Sequence, residues 1–391
     1  MLTLEKALEI VLDSARVLGT ERIGLAVVVN RVLAEDVRSD TDIPPFNKSA
    51  MDGFACRRED LGNELTVVET VAAGEQPEKS IGVGECSMIM TGAAVPQGAD
   101  CVIMVEFTQK LSENVVRFIG KETSDNICVQ GEDIRAGEVV LEKGTVVGPK
   151  HIATLASVGC ANPLVYVRPR VGVIATGSEL VAPSQELSEC KIRDSNSFQL
   201  VAQTEAVGAV TKNYGIASDT KQAIDAAVKK AMSENDVVFV CGGVSVGEFD
   251  FVPEVLRANG FKLLFEKIAI KPGKPTVFGQ TEQVYCFGVP GNPVSGFVIF
   301  EVLIKPFLYK LMGYNFEALQ LRLPLATTVT QKKAGSPSWI PVAITKEGKI
   351  EPVEYHGSSH FGSLNVADGL ICLPKGPCEL REGTLVTVRC I

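Results

Sequence analysis

Histidine is scarce: His151, His356 and His360 are the only three in 391 residues, and the last two share one Gly/Ser-rich stretch. Chemistry built on histidine pairs, a Ser-His-Asp arrangement included, has little material to work with. The eleven cysteines contain no Cys-x-x-Cys pair, so the spacing that a zinc site or a small disulfide framework needs is missing. An odd number of thiols in so long a chain points to reduced cysteines in a reducing compartment. Positive charge is in deficit: Lys plus Arg number 38 against 47 Asp plus Glu, a net charge of −9. That balance excludes a broad face for duplex nucleic acid while leaving room for local basic pockets. Long apolar runs are missing too. Glu5, Lys6, Glu9, Asp13 and Arg16 break up the opening segment, which leaves no signal-peptide core. The most apolar later stretch, 294–303, is interrupted by Glu301 and followed by Lys305-Pro306, short of the roughly 20 residues a membrane span requires. These absences describe a cytoplasmic protein with a buried helix there, bound to neither membrane nor nucleic acid.

At about 100 to 200 residues per domain, the length predicts two to four domains. Thr3 can cap a helix whose apolar positions Leu4, Leu8, Val11, Ala15 and Leu18 follow three-four spacing, with Gly19 past its end. Short β-rich runs punctuated by glycine fill 65–147 and read as an all-β region. From Val171 strands and helices alternate, which argues for a parallel sheet covered by helices on both faces, with ligands beyond the carboxyl ends of the strands. After Gly313 the chain returns to short strands that suit a small terminal β-barrel; Val386, Val388 and Cys390 fall on one face of the last. The division is 1–165 for interleaved helical and β-rich lobes with a linker at 38–55, 166–315 for a doubly wound α/β/α domain, and 316–391 for the barrel.

Three loops leave the α/β strands on the ligand edge: Thr176-Gly-Ser-Glu-Leu, Gly242-Gly-Val-Ser-Val-Gly-Glu-Phe-Asp and Pro290-Gly-Asn-Pro-Val-Ser. Successive backbone N–H groups in such turns form an anion nest, and a following helix start adds a favourable partial charge. A single glycine turn between strand and helix is more often a plain structural turn than a phosphate cradle; three on one edge shift the balance toward the anion site. Lys271-Pro-Gly-Lys-Pro adds Lys271 and Lys274 on a stretch stiffened by prolines, either cations for an oxyanion or a rigid solvated turn. Asp52, Asp133, Glu179, Asp219 and Asp250 each stand beside a glycine, a loop or an element end. If several converge, they make an oxygen-rich site for Mg²⁺ together with substrate phosphate; otherwise each caps a turn or helix, and Asp219 is placed to cap the helix from Thr220. Cys241 ends a buried-type strand and reads as a packed thiol.

Taken together, Pro44-Pro-Phe-Asn-Lys-Ser-Ala-Met-Asp-Gly-Phe-Ala, Thr91-Gly-Ala, Gly131-Glu-Asp-Ile, the Thr176 loop, Ile192-Arg-Asp-Ser-Asn, the Gly242 loop, Lys271-Pro-Gly-Lys-Pro and Pro290-Gly-Asn-Pro-Val-Ser occur in the order seen in molybdopterin molybdenumtransferases. The chain resembles that family, which includes MoeA and the gephyrin E-domain, from its first helix to its last strand. The resemblance implies a molybdopterin-binding α/β fold and insertion of molybdate into adenylylated molybdopterin, with Mg²⁺-dependent release of AMP. It also implies a homodimer whose cleft is shared between subunits, and hand-over of substrate from a molybdopterin adenylyltransferase. By motif, Asp52, Thr91, Asp133, Glu179, Asp219 and Asp250 correspond to catalytic positions, the last three also to the Mg²⁺ carboxylates. Gly242, Gly243, Ser245, Gly247, Lys267, Lys271, Lys274, Pro290, Asn292, Pro293 and Ser363 correspond to the substrate and molybdate pocket. The chain departs from the family at Asn47-Lys48, where members carry Asp-Asn, and at Gly335-Ser-Pro-Ser-Trp, where many carry Gly-Arg before an aromatic; Lys332 and Lys333 are the cations nearest that gap in sequence. Two rival functions share parts of this architecture: the preceding adenylyl transfer, and a gephyrin-like scaffold without turnover.

Overall fold

The computed structural model describes residues 1–244 and 250–391. Its centre is a six-stranded sheet in which Val210–Ala217, Arg170–Thr176, Val237–Cys241 and Tyr285–Val289 lie side by side in parallel, followed by Val277–Gln280 and Lys262–Phe265. Val277–Gln280 runs antiparallel to both of its neighbours, which corrects the expectation of a parallel sheet. Only residues 281–284 separate Val277–Gln280 from Tyr285–Val289, enough for a hairpin but not for the crossover that a parallel return demands. The continuous apolar runs of Val237–Cys241 and Tyr285–Val289 are buried along their whole length, because helices cover both faces. One face meets Ile224, Val228 and Ala231 of helix Lys221–Glu234 and Val252, Val255 and Leu256 of helix Val252–Ala258. The other meets Leu200 of helix Asn196–Ala206 and the apolar segment 293–311.

That last segment is not one long α-helix. It runs as α-helix over Pro293–Ile299, a π-helical turn over Phe300–Ile304, and α-helix again over Lys305–Leu311. Pro306 has no N–H to return to the preceding turn, so the ladder loosens just before it. The carbonyl of Glu301, inside the π turn, accepts instead from the Arg389 guanidinium of the last strand. Glu301 itself is buried and paired with Lys305 at 2.9 Å.

The opening helix spans Leu4–Ser14, with Thr3 Oγ1 accepting from the Lys6 N–H at 3.3 Å. It ends before Ala15 and Leu18, which the spacing had placed inside it. Residue 15 turns to extended backbone, the Arg16 N–H donates to Tyr285 Oη at 3.1 Å, and the Leu18 N–H donates to Leu311 O at 3.2 Å. Ala7 and Val11 pack into the α/β core.

Between these points the chain makes an excursion. Going out, Thr20–Arg22, Val37–Arg38 and Lys48–Ser49 pair with Leu164–Tyr166, Val139–Leu141 and Ile127–Cys128 on the way back, all antiparallel. At the far end sits a six-stranded sheet built from residues 53–118. The β region therefore starts at Gly53 rather than 65, and 127–147 belong to the returning arm. The C-terminal sheet has the order Gln320–Pro324, Leu385–Cys390, Gly369–Leu373, Ser338–Ile344, Ile350–Pro352. A bridge between Leu325 and Ile350 brings its two edges together around Val342, Ile371 and Val388, the barrel-like closure that removes free edges. No helix among the described residues is long and apolar enough to cross a membrane.

Phe278, fully buried, has ring neighbours Phe265, Tyr285, Phe287 and Phe307 at centroid distances of 4.7 to 6.5 Å. Phe278→Ala is expected to cost about 3–5 kcal/mol, measured as a lowered midpoint in thermal or urea unfolding. An unchanged midpoint would show that this cluster does not limit stability.

Candidate active site

Strand register brings the site together. Ala175 pairs with Cys241 and Cys241 with Val289, so the loops after three adjacent parallel strands leave the sheet at one edge. The Gly242 N–H donates to Val289 O at 3.0 Å. Gly242 and Gly243 have φ of +96° and +63°, the left-handed region that glycine occupies without strain. A Cβ on Gly242 would stand 2.5 Å from Thr176 O. A fourth loop joins them: Val277 pairs with Gly288, so the antiparallel strand starts at this same edge, and Lys271-Pro-Gly-Lys-Pro lies immediately before it. Lys267, Lys271 and Lys274 are exposed, and among the described residues none of their ammonium groups makes a hydrogen bond or ion pair. The backbone N–H groups of Gly291 and Asn292 are likewise without an acceptor among the described residues. The edge therefore offers cations and backbone donors to an anion, with no carboxylate among the described residues already neutralising the lysines.

The glycine loops themselves are held from below. Ser178 and Asp219 lock reciprocally: the Ser178 N–H donates to Asp219 Oδ2 at 2.7 Å, and the Asp219 N–H to Ser178 Oγ at 3.3 Å. Asp219 does not cap the following helix; Thr220 does, through the Ala223 N–H. Asn196 Nδ2 donates to Gly291 O at 2.6 Å, and buried Asp194 caps helix Asn196–Ala206 through Ser197. Burial pushes the Cys241 thiol up to about 12, and its sulfur lies 3.8 Å from Pro290 O, so it stays a packed, protonated thiol.

Pro290 is buried and Pro293 half-buried at the start of the third loop's helix. Proline has no N–H, and the Val294 N–H already donates to Ser358 O at 3.1 Å, so this helix start contributes less to an anion than its position implies. The Asn292 amide is engaged by two hydroxyls of the C-terminal domain: its Nδ2 donates to Ser358 Oγ at 2.8 Å, and Ser359 Oγ donates to its Oδ1 at 3.1 Å. Ser363, only 2% exposed, spends its hydroxyl on His360 O at 2.7 Å. Ser245 and Gly247 lie outside the described residues. Spacing gave no signal for Ser178, Ser358 or Ser359; Asn196, though part of a recognised motif, gave none for its contact with Gly291.

A second cluster lies on the distal β lobe. The N–H and hydroxyl of Thr91 reach the same Asp52 Oδ1 at 2.6 and 2.8 Å, which holds that carboxyl below the ordinary carboxylate range. The contact is present above the ordinary value and is lost only as pH falls through the lowered one. Asp133 is exposed on a turn where its N–H donates to Ile43 O at 3.1 Å. No hydrogen bond among the described residues joins it to Asp52 or Thr91, or joins this lobe to the α/β edge.

Mg²⁺ is the cofactor the resemblance implies. Among the described residues, no group of three or more Asp, Glu, His or Cys side chains could hold a metal ion. Glu179, Asp219 and half-buried Asp250 share the ligand edge without forming a cage, and one oxygen of Asp219 is spent on Ser178. This donor set does not by itself fit a resident Mg²⁺.

Comparison with known proteins matches this geometry along nearly the whole chain. Residues 2–159 match the MoeA N-terminal region (domains I and II), 172–310 a probable molybdopterin binding domain, and 322–390 the MoeA C-terminal region (domain IV). The molybdopterin molybdenumtransferase of Bacillus subtilis (strain 168) is 36% identical over 383 residues, covering 94% of this chain and 89% of that protein. That of Staphylococcus aureus (strain MRSA252) is 36% identical over 398 residues, covering 98% and 94%. The crystal structure of the molybdopterin biosynthesis MoeA protein of Pyrococcus horikoshii OT3 covers both chains in full with a TM-score of 0.84 at 31% identity. The chain thus belongs to the molybdopterin molybdenumtransferase (MoeA) family and is a transferase of molybdenum cofactor biosynthesis.

Proposed function

We propose that the protein inserts molybdate into adenylylated molybdopterin and releases AMP, as a cytoplasmic homodimer that receives its substrate from a molybdopterin adenylyltransferase. The observation that carries the reading is the α/β edge, where exposed lysines and backbone N–H groups that have no partner among the described residues stand on glycine loops. Molybdate is a tetrahedral dianion and the adenylate carries phosphate, so both ask for donors of this kind. In the reaction, Lys271 and Lys274 hold anionic oxygens and offset the charge that gathers on the departing AMP as water hydrolyses the phosphoanhydride, giving AMP and the phosphate of the pterin. The dithiolene sulfurs that take the metal belong to the pterin, so no protein thiol is required, consistent with protonated Cys241. Asp52 and Thr91, unlinked to the edge within one chain, reach a shared cleft from the partner subunit. Among the described residues the carboxylates form no resident Mg²⁺ site.

AMP release from purified protein given adenylylated molybdopterin, with and without molybdate, tests the reading. Molybdate-dependent release is expected, and Lys271→Ala should slow it by roughly 10²-fold, since truncating the side chain leaves the loop backbone pairing intact. An unchanged rate in Lys271→Ala would remove that lysine from the chemistry, and ATP consumption without AMP release would turn the assignment to adenylyl transfer.

Titrating Mg²⁺ into the ligand-free protein by calorimetry is expected to give no saturable uptake, with uptake appearing only once substrate phosphate supplies oxygens. Saturable binding to the free protein, lost in Asp219→Asn, would show that the carboxylates do assemble a cage.

A further inference from the structure

The C-terminal domain reaches the α/β edge at two separate places. At the first, Lys271 is paired by its backbone: its N–H donates to Pro337 O at 2.9 Å and its carbonyl accepts from the Trp339 N–H at 2.7 Å. At the second, the turn carrying Ser358 and Ser359 holds the Asn292 side chain from both ends of its amide and takes the Val294 N–H with the Ser358 carbonyl. The residues gripped are those beside the free donors of the anion edge.

The geometry of one peptide unit shows what the second grip does. The Gly291 carbonyl accepts from Asn196 Nδ2. In a trans peptide the N–H of the next residue points opposite to that carbonyl, so the Asn292 N–H is turned away from Asn196, and it has no acceptor among the described residues. Asn196 fixes one side of the unit, and Ser358 and Ser359 fix the other through the side chain of the same Asn292. An amide with two partners on its side chain has little left to give a ligand, whereas its own backbone N–H has no acceptor among the described residues.

We propose that Ser358 and Ser359 are positioning residues for the transfer reaction: acting through the Asn292 side chain, they hold the Gly291–Asn292 peptide so that its N–H donates to an anionic oxygen of the substrate. The inference rests on the function proposed above and deepens it, giving the C-terminal domain a task at a site it does not itself form. Asn292 then contributes its backbone, and its side chain serves as the handle by which the domain orients that backbone.

A mutant cycle on the full-length protein tests this. The variants are Asn292→Ala, the double variant Ser358→Ala/Ser359→Ala, and the three substitutions together, read by kcat and KM for AMP release and by affinity for inorganic phosphate as an oxyanion probe. If the serines act through Asn292, each variant loses a similar factor, up to about 10²-fold for a mispositioned donor, and the combination is no worse than either alone. Ser358→Thr/Ser359→Thr, which keeps both hydroxyls, should recover most of the activity at an unchanged melting temperature. The inference is overturned if Asn292→Ala loses activity while the serine variant keeps it, because the amide would then contact substrate directly. It is overturned equally if the losses multiply, or if the threonine variant is as impaired as the alanine one while still folded. A wild-type protein that releases no AMP would defeat the proposed reaction instead, and the phosphate affinities would still decide whether the serines and Asn292 act as one unit.

Discussion

The site depends on the in-register parallel pairing of Val237–Cys241 between its two neighbours. Parallel strands end on the same side, so pairing Cys241 with Ala175 and Val289 sends three chain segments out at one edge, on adjacent strands. A shift of one residue would turn the apolar side chains to the wrong face, and the buried phenylalanines on one side and the valine cluster on the other make such a shift costly. The remaining two strands extend the same logic: Lys262–Phe265 runs with the parallel strands and ends at this edge, Val277–Gln280 runs the other way and starts there, and the Lys271 loop between them is delivered to the edge. Cations and glycine turns thus come from different parts of the sequence without any long loop.

The edge is finished from outside the sheet. With Pro293 lacking an N–H and Val294 engaged by Ser358, the helix start beside the third loop serves as a docking point for the C-terminal domain more than as an anion cradle. That domain is tied down far from the site as well, through Arg389 on the Glu301 carbonyl. The π turn lies where the proline disturbs the helix and the last strand makes contact, so a local fault in the helix coincides with an attachment point between domains.

Much of this was legible in the sequence, for physical reasons. Runs such as Val237–Cys241 read as buried strands, the glycines after them as sharp turns, and the order of the loops matched a known family. The family match also supplied the distal pair Asp52 and Thr91, which the fold brings within hydrogen-bonding distance although 39 positions separate them. Contacts that depend on long-range docking were not legible. Nothing local marks Ser358 or Ser359 as partners of Asn292, since serines in a Gly/Ser-rich stretch look like any solvated turn. Asp219 misled for a related reason: its place before a helix suggested a cap, but Thr220, one residue later, fits the cap geometry and leaves the carboxylate for Ser178. The strands 262–265 and 277–280 were missed because each is only four residues long, too short to show a period of its own.

The Asp52–Thr91 pair sets the remaining constraint. It is exposed, and the carboxyl is held ionised by two donors from one residue, so it is prepared as a fixed acceptor rather than as a proton donor at neutral pH. An acceptor of that kind would repel phosphate or molybdate oxygens, whereas it suits a pterin, whose ring edge carries N–H donors. In the proposed reaction the cationic edge would therefore meet the phosphate end of the substrate and Asp52 its ring. Their separation within a single chain is what a cleft closed by a second subunit would resolve: each subunit would bring its glycine-and-lysine edge to the phosphate end and its partner's Asp52 to the ring.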